Sequence, residues 1–208
     1  MQHRRTCVLV AASNIGNERP AVRQGSFDGQ PLGYPALAEV GYACRSDATS
    51  SKWLMDIEII DLADAPELVD TCAAWTFGMW GCQSGGSLAK NLAGFTAATK
   101  PGREAFTFVA RRGGKTAGMA SLRASDFKER LDLTPWLASV YVHPYHRGAG
   151  LAHALVKRVE AQAHKQGHHH LYLISEHAER LYVDLGWITF DHVTGPYGPS
   201  VLMNKALI

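Results

Sequence analysis

The stretch Val140-Tyr141-Val142-His143-Pro144-Tyr145-His146-Arg147-Gly148-Ala149-Gly150-Leu151-Ala152 decides the fold. An apolar strand-like run meets a proline, passes through Arg-x-x-Gly-x-Ala and enters a segment with helical spacing. Gly148 and Gly150 lack a Cβ, so the backbone there can turn left-handed and come close to a ligand. Ala152 keeps the next position small. A helix beginning near Leu151 leaves its first N–H groups without intrahelical partners and aims the positive end of its dipole at the turn. Such a turn suits phosphate.

Downstream lies Ala178-Glu179-Arg180-Leu181-Tyr182-Val183-Asp184-Leu185-Gly186-Trp187. Taken in order, the two segments resemble the GNAT family of N-acetyltransferases. Arg147, Gly150 and Ala152 fill the defined positions of its Gln/Arg-x-x-Gly-x-Gly/Ala motif, which follows a strand ending Val-x-Pro. The second segment fits the family's Ala-x-x-x-Tyr-x-x-x-Gly-Phe/Trp pattern, and the likeness runs over about residues 56–208. Two spaced motifs in the right order are far more specific than either alone.

The resemblance implies an α/β fold: a mixed, mostly antiparallel central sheet flanked by helices, with a splayed pair of fourth and fifth strands. Those strands are expected at residues 136–142 and 171–174. It further implies acetyl-CoA as co-substrate, lying in the opening between them. Main-chain groups of Val140, Tyr141 and Val142 would meet the pantetheine and thioester. Arg147, Gly148, Ala149, Gly150, Leu151, Ala152 and His153 would surround the diphosphate. Parted strands suit this, because buried backbone groups need partners.

The chemistry expected of such a site is attack by an amine on the thioester carbonyl within a ternary complex, with coenzyme A leaving as thiolate. The resemblance assigns Tyr182 as general acid. A phenol with an unperturbed pKa of about 10 can return a proton to a sulfur whose own lies at about 8.5. Tyr182 also reads as an amphipathic core residue on one helix face with Ala178 and Leu185. The base is less well marked. Many relatives carry a Glu in the fifth strand, where this chain has Ile174, and an Asn before the tyrosine that is missing here. Glu176, His177, Asp126 or water could serve instead, and each side chain reads equally as a solvated surface residue. The acceptor is left open between a small amine and a protein amino group. A non-catalytic acyl-CoA-binding module or sensor is the alternative function.

Composition bounds the rest. The chain has 208 residues, 46% of them hydrophobic, enough for one good core. A formal charge of +2 arises from basic and acidic residues mixed along the chain, so nucleic acid is not implied. Cys7, Cys44, Cys72 and Cys82 form no Cys-x-x-Cys pair, which fits reduced thiols in a cytoplasmic protein. No apolar run approaches the ~20 residues of a membrane span. The start at Met1 imitates a secretory signal but has a short apolar part and no small-residue cleavage site. His164 and His168-His169-His170 sit at a helix end with no acidic or cysteine ligand spaced to complete a site, so no metal is expected. A homodimer is common among relatives.

Residues 1–53 are rich in Gly, Pro, Asn, Gln and Ser without a sustained period, and read as a flexible extension before a domain at 54–208. Within the domain the predicted order is β-α-α-β-β-β-α-β-α-β-β. The first helix is expected to start at a capping box over Asp64–Glu67 and to bury Leu68, Cys72, Trp75 and Met79 on one face. Gly113-Gly114 predicts a tight hairpin turn. Trp75, Phe77 and Trp80 are expected to divide between core and acceptor pocket.

Overall fold

A computed structural model describes residues 57–208. The predicted extension 1–53 and the first residues of the predicted domain lie outside the described residues. Strand β1 (Ile57–Asp61) leads through two short 3-10 turns into helix α1 (Val69–Thr76), and α2 (Leu88–Ala97) follows. Strands β2 (Phe106–Arg112) and β3 (Lys115–Arg123) form the hairpin about Gly113-Gly114. Then come β4 (Trp136–Val142), α3 (Leu151–Lys165), β5 (His170–Ser175), α4 (Glu179–Asp184), β6 (Ile188–Gly195) and β7 (Gly198–Ala206). This is the element order predicted from sequence.

The strands make one sheet in the order β1-β2-β3-β4-β5-β7-β6. All neighbours are antiparallel except β4 and β5, which run parallel. On one face α3 buries Leu151, Leu155, Val156, Val159 and Ala163 against Phe108, Leu122, Leu137, Leu171 and Met203. These apolar positions recur at the 3.6-residue period, so a single stripe of the helix meets the sheet. On the other face Val69, Cys72, Ala73 and Phe95 cover Val109 and Met119.

The entry into α1 differs from expectation. Asp61 caps the first 3-10 turn, Leu62–Asp64, its Oδ1 accepting the N–H of Ala63 at 2.9 Å, whereas α1 itself has Leu68 at its N-cap and no side-chain cap. Pro66 drives the preceding residue out of the helical region, and Ala65 stands at φ −142°, ψ 60°. The Asp64–Glu67 capping box therefore cannot close. At the far end of α1 the chain winds through a π-type segment, Phe77–Gly81. Its wider turn carries Met79 off the buried stripe, and Met79 is exposed rather than core.

Candidate active site

β4 and β5 separate almost as soon as they meet. Their ladder consists of Trp136 opposite Tyr172, supported by the Tyr172 N–H donating to the Pro135 carbonyl at 3.1 Å. Beyond that point β4 carries an extra residue relative to β3: Met119 pairs with Tyr141 but Ser121 with Ala138. Ser139 sits in this bulge at φ +53°, a left-handed conformation that costs a non-glycine residue energy. A bulge bends its strand and increases the local twist. Here it falls where β4 leaves β5.

The direction of the freed backbone groups follows from alternation along the strand. The His143 N–H donates to the Ala117 carbonyl of β3 at 2.9 Å. Val142, one residue earlier, therefore turns its N–H and C=O to the opposite edge, towards the opening. Arg147 Nε donates to that Val142 carbonyl at 3.1 Å. Val140 faces the opening by the same alternation. The side chains of Val140 and Val142 pack against the core as partly buried residues.

Arg147-Gly148-Ala149-Gly150 then carries the chain into α3. Gly148 and Gly150 have φ of +74° and +77°, and Gly150 is the N-cap of α3. No side chain caps that helix, so the N–H groups of its first turn remain open to a ligand. A Cβ at either glycine would meet nothing within 4 Å, so the left-handed backbone, not crowding, requires glycine there. A cavity of about 490 Å³ lies over this turn. It is lined by Val140, Tyr141, Val142, Arg147, Gly148, Gly150, Leu151, Ala152 and His153, and also by Tyr182; Ala149 is outside its lining.

Tyr182 is 7% exposed, its ring edge-on to that of Trp187 with centroids 6.0 Å apart. Burial, then the negative charges of Asp126 and Glu176, hold its phenol above the ordinary range. It stays protonated at neutral pH. Tyr182 packs in the core, as the sequence allowed, and it also lines the cavity.

A second cavity, of about 400 Å³, also has Tyr182 in its lining. The three base candidates, Asp126, Glu176 and His177, all line it, as does Ile174. Asp126 is exposed at its surface, while the protein packed around its carboxyl raises it to about 6, against the pull of Arg123 and with the push of Glu176. Ser175 Oγ accepts the Ala178 N–H at 3.0 Å and shapes the short connection that presents Glu176 and His177. Val140, Ala178, Met79 and Trp80 border both cavities together with Tyr182. Of the aromatic trio, Trp80 faces the cavities, while Trp75 stacks on Tyr141 at 4.9 Å and belongs to the core.

Several cavity residues carried no signal in the sequence. Thr76, Asn91 and Arg123 come from three separate elements and reach one wall only after folding. Ser139 could not be found either, since nothing local announces a left-handed serine in an apolar strand. Among the described residues no three His, Cys, Asp or Glu side chains gather to hold a metal ion. No helix among them is long and apolar enough to cross a membrane.

Residues 90–187 match the family model described as Acetyltransferase (GNAT) family. No curated protein matches the chain significantly. Among solved structures, an aminoglycoside 6'-N-acetyltransferase complexed with coenzyme A is 16% identical with a TM-score of 0.58, covering 74% of this chain and 98% of its own. The aminoglycoside 6'-N-acetyltransferase from Enterococcus faecium is 18% identical with a TM-score of 0.57 and the same coverage, 74% and 98%. A Salmonella typhimurium protein solved with its cofactor acetyl-CoA is 22% identical with a TM-score of 0.55, covering 74% and 95%. At these identities the likeness is one of fold.

Proposed function

Because the chain carries a GNAT acetyltransferase domain at residues 90–187, we propose that it moves an acetyl group from acetyl-CoA to an amine by direct attack in a ternary complex. The observation that carries this reading is the meeting of two cavities at Tyr182 and Val140, one over an uncapped helix N-terminus and the other lined by carboxylates. One suits a diphosphate and its pantetheine arm; the other suits an amine.

Acetyl-CoA, when bound, supplies an activated acyl group. The residues assigned to hold it are well matched to its anionic end. Gly148 and Gly150 leave open space, the first turn of α3 offers N–H groups, and Arg147 adds positive charge. The Val142 N–H on the open edge of β4 is the donor best directed at a developing oxyanion. Tyr182, kept protonated by burial, donates a hydrogen bond to the departing sulfur and shares its proton with it. Asp126 accepts the amine's proton, directly or through water, since a carboxyl near 6 is ionised at neutral pH yet basic enough to receive it. Glu176 supports it from the facing connection.

Calorimetry with coenzyme A, followed by thiol release from acetyl-CoA across an amine panel, tests the proposal. Absence of coenzyme A affinity would sink it. Binding without turnover of any amine would leave the non-catalytic acyl-CoA module as the better description.

A further inference from the structure

The cavity beyond Tyr182 is lined by charges of both signs. Asp126 and Glu176 line it together with Tyr182, and the charges of both act on that phenol, so two carboxylates lie beside the proposed point of transfer. An ammonium group entering there is attracted by both, and one of them can take its proton. The same lining also holds a cation and neutral donors. The Arg123 guanidinium lies over the Phe95 ring at 5.4 Å; its charge is felt by Asp126, but among the described residues it has no ion pair within 4 Å and keeps its donors for a ligand. Asn91 precedes Phe95 by one helical turn and so shares its face. Its Nδ2 is buried without a hydrogen-bond partner, as is Thr76 Oγ1 on the same cavity wall.

Unpartnered buried donors are costly, and a native protein seldom leaves several around one space without a group to fill them. Arg123, Asn91 and Thr76 together offer a forked cation, an amide N–H and a hydroxyl. That set matches a carboxylate, which accepts at both oxygens. A simple polyamine would bring positive charge against Arg123. A neutral amine would leave the donors unmatched.

We propose that the acceptor is an amino carboxylate: an amine that also bears a carboxylate, its nitrogen held by Asp126 and Glu176 and its carboxylate by Arg123 and Asn91. This rests on the acetyltransferase reading above and narrows its substrate class. Peptide amino termini and carboxylate-free amines are the alternatives that the measurement separates.

The test uses the full chain with saturating acetyl-CoA and matched triplets: an L-amino acid, its carboxamide and the primary amine lacking the carboxylate. The expected result is a kcat/KM at least about tenfold higher for the acid than for either analogue, the scale of a charge-assisted hydrogen bond. Arg123→Gln should erase that preference by raising the acceptor KM, and Arg123→Lys should restore part of it. Coenzyme A affinity measured by calorimetry on each variant reports folding, since Arg123 lies outside the glycine-turn cavity. Equal or better turnover of the carboxylate-free analogues, or an unaltered preference in Arg123→Gln, overturns the inference and leaves the acetyltransferase reading standing. So does tight coenzyme A binding with turnover of peptides alone. Loss of coenzyme A binding in the parent protein removes both.

Discussion

The indole N–H of Trp187 donates to the buried carboxylate of Glu160 at 2.9 Å, and the ring held by that bond is the one Tyr182 packs against. The same carboxylate receives Lys205 at 2.9 and 3.0 Å and Lys157 at 3.1 Å. Lys205 also donates to the Leu185 carbonyl at 2.6 Å, so α3, α4 and β7 are joined through one acid. The proposed general acid therefore stands on a polar network as well as on apolar packing.

Removing the acid from this network should be expensive. Glu160→Ala leaves Lys205 and the Trp187 N–H without their acceptor, and a loss of about 3 kcal/mol is expected. Glu160→Gln should cost less, because the amide oxygen still accepts. Urea denaturation compares them, and a loss below about 1 kcal/mol for the alanine variant would show that water replaces the network.

Tyr182→Phe keeps the ring and its contact with Trp187 but removes the proton. The turnover number should fall on the order of 100-fold, the scale of general acid catalysis, with the acetyl-CoA dissociation constant nearly unchanged. Steady-state kinetics beside calorimetry separates the two. Unaltered turnover would return Tyr182 to a purely structural role.

Gly150→Ala and Gly167→Ala form a controlled pair. Both glycines have left-handed φ, +77° and +84°, at opposite ends of α3, and a Cβ at either meets open space. Each substitution should cost about 1–2 kcal/mol from backbone strain. Only Gly150→Ala should also weaken coenzyme A, by at least about tenfold, because only Gly150 sits at the cavity over the helix N-terminus. Equal affinities in the two variants would refute the diphosphate assignment.

Asp126 carries a pH signature with a definite sign. Its carboxyl is raised from 3.8 to about 6, so between those values the folded chain holds a proton that the unfolded chain has released. The contribution of this residue to stability is therefore full at acid pH and declines as pH rises through that window. Asp126→Asn should remove the decline and be at least as stable as the parent above pH 6, read as thermal midpoints at several pH values. As the proton acceptor, Asp126 must be ionised, so activity should climb with a limb near pH 6 that the asparagine variant lacks. A limb that persists in the variant would assign it to another group.

How much of this could be read along the chain depended on range. The strand Trp136–Val142, the glycine turn, the apolar stripe of α3 and the hairpin about Gly113-Gly114 were all legible, because each depends on residues close in sequence. Tyr182 was legible through its motif. The capping box at Asp64 was misread because Pro66 acts backwards on Ala65, and Met79 because a π-type turn shifts the helical phase. Nothing in the apolar stripe of α3 identifies Lys205 and Trp187 as the partners of Glu160.

By itself, the sequence determined the order of elements and the left-handed glycine turn, since backbone preference and apolar periodicity are local properties. Only the tertiary structure decided where β4 leaves β5, that two cavities meet at Tyr182, and that Arg123, Asn91, Asp126 and Glu176 line one of them. Those residues lie on different elements, and their approach is set by sheet pairing and core packing between segments far apart in the chain. A charge in one segment has no electrostatic partner until burial of apolar surface elsewhere brings that partner near.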